Sequence, residues 1–329
     1  MRRLRSPVVR RNQKMMMSDM LKGAKRVALF GHTRPDGDCV GSVLGLYNYI
    51  KDNYPEIIVD AYLEKFSHTF NFLTHSENVF NKYEEGAVYD TVIVLDASSR
   101  DRVGANGLAC IAQADRSFNI DHHVSNPGDV CSYSDIQPDV SSASEVLYYL
   151  LDPAHISKAC AECIYLGIVH DTGVFRFSCT GKATFEAVAE LIDKGVDFPR
   201  IINETYCSRT YKQTLVTGLV MERCKLALDD KVVYGYMTPK EMESYGVNSL
   251  EMDGIIDALR EVEGTEVAIF LYPTAGRYKI SMRSQYYVDV SKICEVFAGG
   301  GHVRAAGCSM DGAPEEIIEK LLAEVEKQI

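Results

Sequence analysis

The sequence has no tryptophan, no long apolar run and fewer basic than acidic residues. No stretch approaches the roughly 18 apolar residues that a membrane-spanning helix needs, so we expect no membrane association. Hydrophobic residues make up 46% of the chain and charged residues 25%. This composition excludes disordered, collagenous and coiled-coil chains. At roughly 150 residues per domain, the length of 329 residues predicts two domains.

The basic residues are concentrated at the start of the chain. Residues 1–14 carry five Arg and one Lys without an acid, so the net charge of -11 leaves -11 - 6 = -17 for the remainder. We expect residues 1–17 to form a disordered basic leader, and a nucleic-acid-binding arm is the alternative. The acidic remainder argues against binding long duplex nucleic acid, because neutralisation of phosphates dominates such binding. Binding of a small anionic substrate is compatible with this charge.

No secretion signal accompanies the ten cysteines, so we expect reduced thiols in a cytoplasmic protein. Cys160 and Cys163 form a CxxC pair, but the sequence has no second pair of this kind. A structural zinc site usually needs two such pairs. The pair is therefore predicted to lie on one face of a buried helix.

Strand-like and helix-like segments alternate over the first 200 residues. The strand-like segments are 26–32, 56–64, 90–98 and 117–123, and the helix-like segments are 39–53, 143–151, 158–169 and 184–195. This alternation predicts an α/β fold with a parallel sheet and helices on both faces. Later segments alternate like antiparallel strands and predict a smaller α+β domain. The expected organisation is a first domain over 18–200, a helical linker over 201–225 and a second domain over 226–329.

Acids and histidines follow four of the apolar runs in this α/β pattern. They are His32, Asp36 and Asp38 in GHTRPDGDCVGS, Asp96 in VLDAS, Asp121, His122 and His123 in IDHHVS, and His170 and Asp171 in GIVHDTGVFRF. Ligands of parallel sheets bind at the carboxyl ends of the strands. Oxygen and imidazole ligands suit Mn²⁺ or Mg²⁺, and two metals bridged by one carboxylate serve phosphate ester hydrolysis. Taken singly, the same residues also fit a surface turn, a helix cap and a helix end.

A second cluster lies near the end of the chain. The segment AGGGHVRAAG contains Gly299, Gly300, Gly301, His302 and Arg304, and SMRS contains Arg283 and Ser284. Three glycines before a histidine predict an anion site at the start of a helix, where backbone amides can approach a phosphate. Arg283 could bind the same phosphate through two nitrogens. A flexible glycine turn with a capping histidine is the alternative.

These motifs, in this order, resemble a known family. HTRPDGDCVGS, VLDASS, DHH and HDTGVFRF resemble the four N-terminal motifs of the DHH phosphoesterase superfamily, and ISMRS with GGGHVRAAG resembles the DHHA1 domain. Together they are similar to the bifunctional oligoribonuclease and PAP phosphatase family. The resemblance covers about residues 18–329, nearly the whole chain.

The resemblance implies two Mn²⁺ ions, with Mg²⁺ or Co²⁺ as alternatives. His32, Asp36 and Asp96 would hold one ion, and Asp38, Asp96, His122 and Asp171 the other. Asp96 would bridge the ions, Asp121 would orient a neighbouring imidazole, and His123 would orient the substrate or stabilise charge. The substrate-binding residues would be Arg283, Ser284, Gly299, Gly300, Gly301, His302 and Arg304. The resemblance also implies a homodimer.

The implied activity is hydrolysis of very short oligoribonucleotides to mononucleotides and of 3′-phosphoadenosine 5′-phosphate (PAP) to AMP. One alternative is a phosphodiesterase for cyclic or linear dinucleotides with the same metal centre. Another, from a different class, is a nucleotide-binding sensor without catalysis.

Overall fold

The computed structural model describes residues 15–81 and 87–329. The chain divides into two compact units, Met1–Ser208 and Arg209–Ile329. Most of the predicted basic leader, residues 1–14, lies outside the described residues, whereas Met17 is fully buried at the start of a helix. The predicted domain boundaries at residues 200 and 225 stay predictions.

The first unit is built on six parallel strands in the order β3-β2-β1-β4-β5-β6. They are β1 (Arg26–Phe30), β2 (Ile58–Tyr62), β3 (Val79–Phe80), β4 (Thr91–Leu95), β5 (Arg116–Asp121) and β6 (Tyr133–Ile136). The helices are α1 (Met17–Leu21), α2 (Gly37–Asn53), α3 (Arg100–Gln113), α4 (Ala143–Leu150), α5 (Lys158–Asp171), α6 (Lys182–Asp193) and α7 (Phe198–Ile202). A π-helical turn follows at Asn203–Cys207.

Apolar side chains cover both faces of this sheet. Leu29 on β1 packs in the core that contains α2 and α5, while its neighbour Phe30 points to the opposite core with α3. The helices α2 and α5 cross closely, since a Cβ on Gly41 would lie 2.5 Å from the carbonyl oxygen of Cys163. The prediction of a parallel sheet with helices on both faces is therefore confirmed. The CxxC pair is buried in this core on α5, as predicted.

The second unit has a mixed sheet in the order β11-β12-β10-β9-β8-β7. Its strands are β7 (Lys225–Ala227), β8 (Val232–Tyr236), β9 (Val267–Thr274), β10 (Arg277–Ser284), β11 (Gly300–His302) and β12 (Ala305–Met310). Its helices are α8 (Tyr211–Arg223), α9 (Pro239–Tyr245), α10 (Ile255–Arg260), α11 (Val290–Val296) and α12 (Pro314–Val325). The predicted α+β class is confirmed.

One pair in this sheet departs from the antiparallel pattern. The strands β8 and β9 are parallel, with Val232 opposite Val267. Parallel neighbours need a long crossover, and the segment between these strands supplies it with α9 and α10. The expectation of antiparallel strands was therefore wrong for this pair.

No helix in the part of the chain that the structure describes is both long and apolar enough to cross a membrane.

Candidate metal centre

The turn after β1 places the first group of predicted ligands. Asp36 caps α2, and its Oδ1 accepts hydrogen bonds from the backbone N–H groups of Asp38 (3.2 Å) and Cys39 (3.1 Å). Asp38 then lies in the first turn of the helix, fully buried. Gly37 between them is required by packing, because a Cβ there would lie 2.2 Å from Cγ of His170. The turn thus brings both carboxylates to the edge of the sheet where β1 ends.

Asp96 lies between the other predicted ligands. It follows β4 with φ = 56°, a left-handed conformation that residues other than glycine adopt rarely and mostly at functional sites. Its Oδ2 lies 3.4 Å from Nε2 of His32, and its Oδ1 lies 3.7 Å from Nε2 of His122. The two oxygens of one carboxylate therefore face two different groups of side chains.

The first group consists of His32, Asp36 and Asp96. Nε2 of His32 lies 3.6 Å from Oδ1 of Asp36 and close to Asp96 on its other side. His32 is buried, whereas Asp36 is exposed. Sγ of the neighbouring Cys39 lies within 4.8 Å of ligand atoms of His32 and Asp96 and accepts a hydrogen bond from the backbone N–H of His32 at 3.1 Å.

The second group consists of Asp38, Asp96, His122 and Asp171. Nε2 of His122 lies 3.0 Å from Oδ2 of Asp171 and 4.0 Å from Oδ2 of Asp38. The carboxylate of Asp38 is held by the start of α4, where the N–H groups of Ala143 (2.7 Å) and Ser144 (2.9 Å) donate to it. The positive end of the helix dipole also favours a carboxylate there.

The electrostatics of the centre favour bound cations. Burial raises the pKa of Asp38 far above its usual range, and the charges of Asp96 and Asp171 add to the effect. Burial likewise raises the pKa of Asp96 to about 6. Bound cations would relieve this repulsion between carboxylates.

The pKa values of the two imidazoles are also raised, but by the neighbouring carboxylates and against the effect of burial. Burial by itself lowers the pKa of His32, but hydrogen bonds to Asp36 and Asp96 outweigh it and raise the value to about 10. His122 behaves alike, because Asp171 and the neighbouring carboxylates raise its pKa to about 10 against the effect of burial. The protons on these rings balance the negative charge of the carboxylates, as bound cations would do in their place.

The surroundings of one oxygen atom of Asp96 indicate whether metal ions fit this centre. Oδ1 of Asp96 is buried and has no hydrogen-bond partner within the described part of the chain. A buried oxygen in that state costs about 1–3 kcal/mol. A divalent cation between Asp96 and His122 would satisfy it, and the mixed carboxylate and imidazole donors suit Mn²⁺ or Mg²⁺. The residues therefore fit a pair of cations that share Asp96.

Asp121 and His123 lie beside the second group. Oδ1 of Asp121 accepts a hydrogen bond from Nδ1 of His123 at 2.8 Å, and Oδ2 accepts one from Nδ2 of Asn126 at 2.6 Å. Burial would raise the pKa of Asp121, but the bond to His123 outweighs it and lowers the value. Asp121 therefore orients the ring of His123, whose Nδ1 lies 3.6 Å from Oδ1 of Asp96.

His170 is in the same motif as Asp171 but belongs to neither group of ligands. Its Nε2 lies 2.9 Å from Oγ1 of Thr205, and its ring meets Phe70 edge-on at 5.3 Å. Burial lowers its pKa to about 4, so the ring is neutral at pH 7. It packs as a structural residue at the end of α5.

Sequence reasoning missed Arg102 and Asn126. Nη2 of Arg102 lies 2.8 Å from Nδ1 of His32, which also lies 2.9 Å from the carbonyl oxygen of Thr33. Nδ1 can accept from the arginine or donate to the carbonyl, but it cannot do both. A His32 that binds a cation through Nε2 keeps its proton on Nδ1 and donates to Thr33. The only signal for Arg102 in the sequence was its position six residues after Asp96.

The predicted substrate residues of the second unit do not lie at a helix start. Gly300–His302 form the edge strand β11, paired with Ala305–Gly307 of β12. A Cβ on Gly299 would lie 2.3 Å from the carbonyl oxygen of Gly307, and a Cβ on Gly301 would lie 2.5 Å from that of Ala305. The prediction of a helix start was wrong, because these glycines allow two strands to approach closely.

The polar residues beside this strand hold a loop. Oγ of Ser284 donates to the carbonyl oxygen of Val288 at 2.6 Å, and Nη1 of Arg304 donates to the same carbonyl at 2.8 Å. Arg304 also donates to the carbonyl oxygen of Tyr286. Arg283 is half-buried, with its Nε 3.6 Å from Oδ1 of Asp257. Ser284 and Arg304 thus use hydrogen bonds to hold the loop. Arg283 has the long contact with Asp257 and a hydrogen bond from Nη1 to the carbonyl oxygen of Met282 at 3.2 Å.

Known proteins match both units. The model of the DHH family, N-terminal domain, matches residues 26–168, and that of the DHHA1 domain matches residues 229–329. The probable bifunctional oligoribonuclease and PAP phosphatase NrnA of Streptococcus mutans is 28% identical over 88% of this chain and 91% of its own. The bifunctional oligoribonuclease and PAP phosphatase NrnA of Bacillus subtilis is 27% identical over 91% and 93%. The crystal structure of an exopolyphosphatase-related protein from Bacteroides fragilis superposes with a TM-score of 0.88, at 26% identity over 94% of both chains.

Proposed function

The chain belongs to the DHH family and combines its N-terminal domain with a DHHA1 domain, and from this membership we propose that it is a two-metal phosphoesterase. It hydrolyses very short oligoribonucleotides to mononucleotides and converts PAP to AMP. The observation that carries the proposal is Asp96, whose two oxygens face two separate ligand groups. The names of the relatives from Streptococcus mutans and Bacillus subtilis support the choice of substrates.

In this proposal His32, Asp36 and Asp96 would hold one ion. Asp38, Asp96, His122 and Asp171 would hold the other. Both would be Mn²⁺, with Mg²⁺ or Co²⁺ as alternatives. Two such ions, when bound, supply stabilisation of phosphoryl oxygens and a water of lowered pKa.

The residues of the chain contribute position and charge. His32 donates from Nδ1 to the carbonyl oxygen of Thr33, which would leave the lone pair of Nε2 for a cation. Asp38 is fixed by two backbone N–H groups, so its carboxylate stays in place without rearrangement. His123, oriented by Asp121, donates a hydrogen bond to a phosphoryl oxygen of the substrate as charge develops there.

The second unit contributes residues that bind the substrate. Arg283 and the edge strand Gly300–His302 contact its terminal phosphate or nucleotide, and Gly299 lets that strand lie close to its neighbour. Ser284 and Arg304 act through the loop that they hold. The homodimer and the cytoplasmic location stay predictions.

One assay tests the proposal. The purified protein receives Mn²⁺ and equal amounts of a 5′-phosphorylated diribonucleotide, PAP and a cyclic dinucleotide, with a chelator control. We expect mononucleotides and AMP from the first two substrates, and none in the presence of chelator. Faster loss of the cyclic substrate would assign the chain to the dinucleotide phosphodiesterases. No turnover of any substrate, with metal bound, would contradict the proposal and favour a sensor.

A further inference from the structure

A pocket of about 170 Å³ opens beside His32, on the face of the sheet that carries α3. Its lining includes the ends of β1, β2 and β3 and the start of α3. His32 lines the pocket and also belongs to the candidate metal centre. A ligand with a phosphate at the metal centre could therefore place a neighbouring group in this pocket.

Aromatic rings form one wall of the pocket. Phe30, Tyr62 and Phe80 are the last residues of β1, β2 and β3, and they are register partners across the three strands. The rings of Phe30 and Tyr62 stack at 5.0 Å between centroids, and those of Tyr62 and Phe80 lie 5.6 Å apart. Phe30 and Tyr62 are buried, whereas Phe80 is 43% exposed. The row of rings thus ends in a side chain that is open to a ligand.

The start of α3 forms the facing wall. Gly104 has φ = 78°, which bends the chain there, and its missing Cβ would lie 3.4 Å from Cγ2 of Thr33. A Cβ on Gly107 would lie 3.2 Å from the ring of Phe30. These glycines allow the helix to lie close to the strand ends.

The polar groups of the lining suit a neutral ligand. Asn81 and Asn106 lie in the lining with exposed side chains, and each carboxamide offers both a donor and an acceptor. None of the described residues in the lining is a lysine or an arginine. Glu64 in the lining is negative, so the pocket disfavours a phosphate.

Building on the proposed function, we propose that this pocket binds the nucleobase of the nucleotide whose phosphate lies at the metal centre. Stacking on an aromatic ring accepts every base, because every base has a π face. The carboxamides of Asn81 and Asn106 can then bond to the edge of the base. This would explain how a metal centre that recognises only phosphate favours nucleotides over other phosphate esters.

The absence of tryptophan allows a direct binding test. Phe80→Trp introduces a single reporter into the pocket, and Phe185→Trp introduces one at an exposed phenylalanine of α6 that does not line it. With Mg²⁺ present, we expect AMP to quench the fluorescence of Phe80→Trp with saturation, while ribose 5-phosphate leaves it unchanged. The Phe185→Trp variant should respond to neither. An equal response to both ligands, or no saturable response to AMP, would overturn the proposal.

A kinetic test separates this proposal from the proposed function. Phe80→Ala should raise the KM for PAP about tenfold with kcat unchanged. In Phe80→Ala, the KM for the ribose bisphosphate that corresponds to PAP without its adenine should not change. Phe185→Ala should behave as wild type with both substrates. If wild type hydrolyses PAP but Phe80→Ala keeps its KM, the base pocket is wrong and the proposed function stands. If wild type hydrolyses neither PAP nor the diribonucleotide, the proposed function fails, and the fluorescence test still shows whether the pocket binds a base.

Discussion

The two units differ in how they hold the residues that the sequence singled out. In the first unit, residues from four distant motifs converge at one sheet edge, and one buried carboxylate oxygen has no partner within the described residues. In the second unit, the glycines form an exposed edge strand, and Arg304 donates hydrogen bonds to backbone carbonyl oxygens. The contrast teaches that a preformed ligand site is marked by unsatisfied polar atoms rather than by a dense polar motif.

The largest expected effect comes from Asp96→Asn in the first unit. Asparagine tolerates the left-handed backbone at this position but lacks the charge that two cations share. We expect kcat/KM for PAP to fall by about 10³-fold or more. In chelator the midpoint of thermal unfolding should stay equal or rise, because a buried charge among other acids is removed. Full activity, or a large fall in that midpoint, would contradict the account.

A smaller effect is expected for Asp121→Asn, which removes the acceptor that orients His123. Loss of such an orienting partner typically costs about 10–100-fold in activity. Metal affinity, measured by calorimetry, should change less than the activity does. The control is Asp139→Asn, an exposed carboxylate in the same unit that should leave activity unchanged. If Asp121→Asn kept the kcat/KM of wild type, the proposed role of His123 in the reaction would be wrong.

In the second unit, we expect one arginine to affect substrate binding and another to affect the stability of the fold. For Arg283→Ala we expect a KM about tenfold higher for a 5′-phosphorylated diribonucleotide, with unchanged unfolding, because a phosphate contact is lost. For Arg304→Ala we expect the free energy of unfolding to fall by about 1–3 kcal/mol, because the carbonyl of Tyr286 loses its arginine donor and the carbonyl of Val288 keeps only the bond from Ser284. Kinetics and denaturant unfolding of both variants check this. The reverse pattern would exchange the roles of the two arginines.

The smallest effect concerns an ion pair of the second unit. The bond to Arg223 lowers the pKa of Glu241 to about 2, below its ordinary value of 4.5. The pair therefore stabilises the fold above about pH 4.5, and this contribution is lost as the pH falls towards 2. Glu241 is partly exposed, so we expect at most about 1 kcal/mol. The difference in unfolding free energy between wild type and Glu241→Gln should shrink between about pH 6 and pH 3. A constant difference would contradict this.

The sequence predicted the first unit well because its signals are local. Three of the four ligand motifs follow an apolar strand, whereas Asp171 ends α5. Because parallel strands place their carboxyl ends at one edge, His32, Asp96 and His122 were expected to meet there. The support of Asp38 by the N–H groups of Ala143 and Ser144 was beyond prediction, since these residues lie more than 100 positions away. Phe80 was missed because it ends a strand of only two residues.

The second unit was harder to predict because its features depend on partners distant in sequence. A run of glycines looks the same in an anion-binding turn and in a strand that lies close to another. Only the proximity of Gly301 to Ala305 and Ala306 distinguishes the two. Apolar alternation likewise does not report strand direction, so the parallel pairing of β8 with β9 could not be read from the segments themselves.

The central claim is that Asp96 is shared by two metal ions. Its most direct test is a calorimetric titration of the metal-free full-length protein with Mn²⁺, in wild type and in Asp96→Asn. The account predicts two ions per chain in wild type and a loss of affinity at both sites in the variant. A single ion in wild type, or two ions with unchanged affinity in Asp96→Asn, would contradict it.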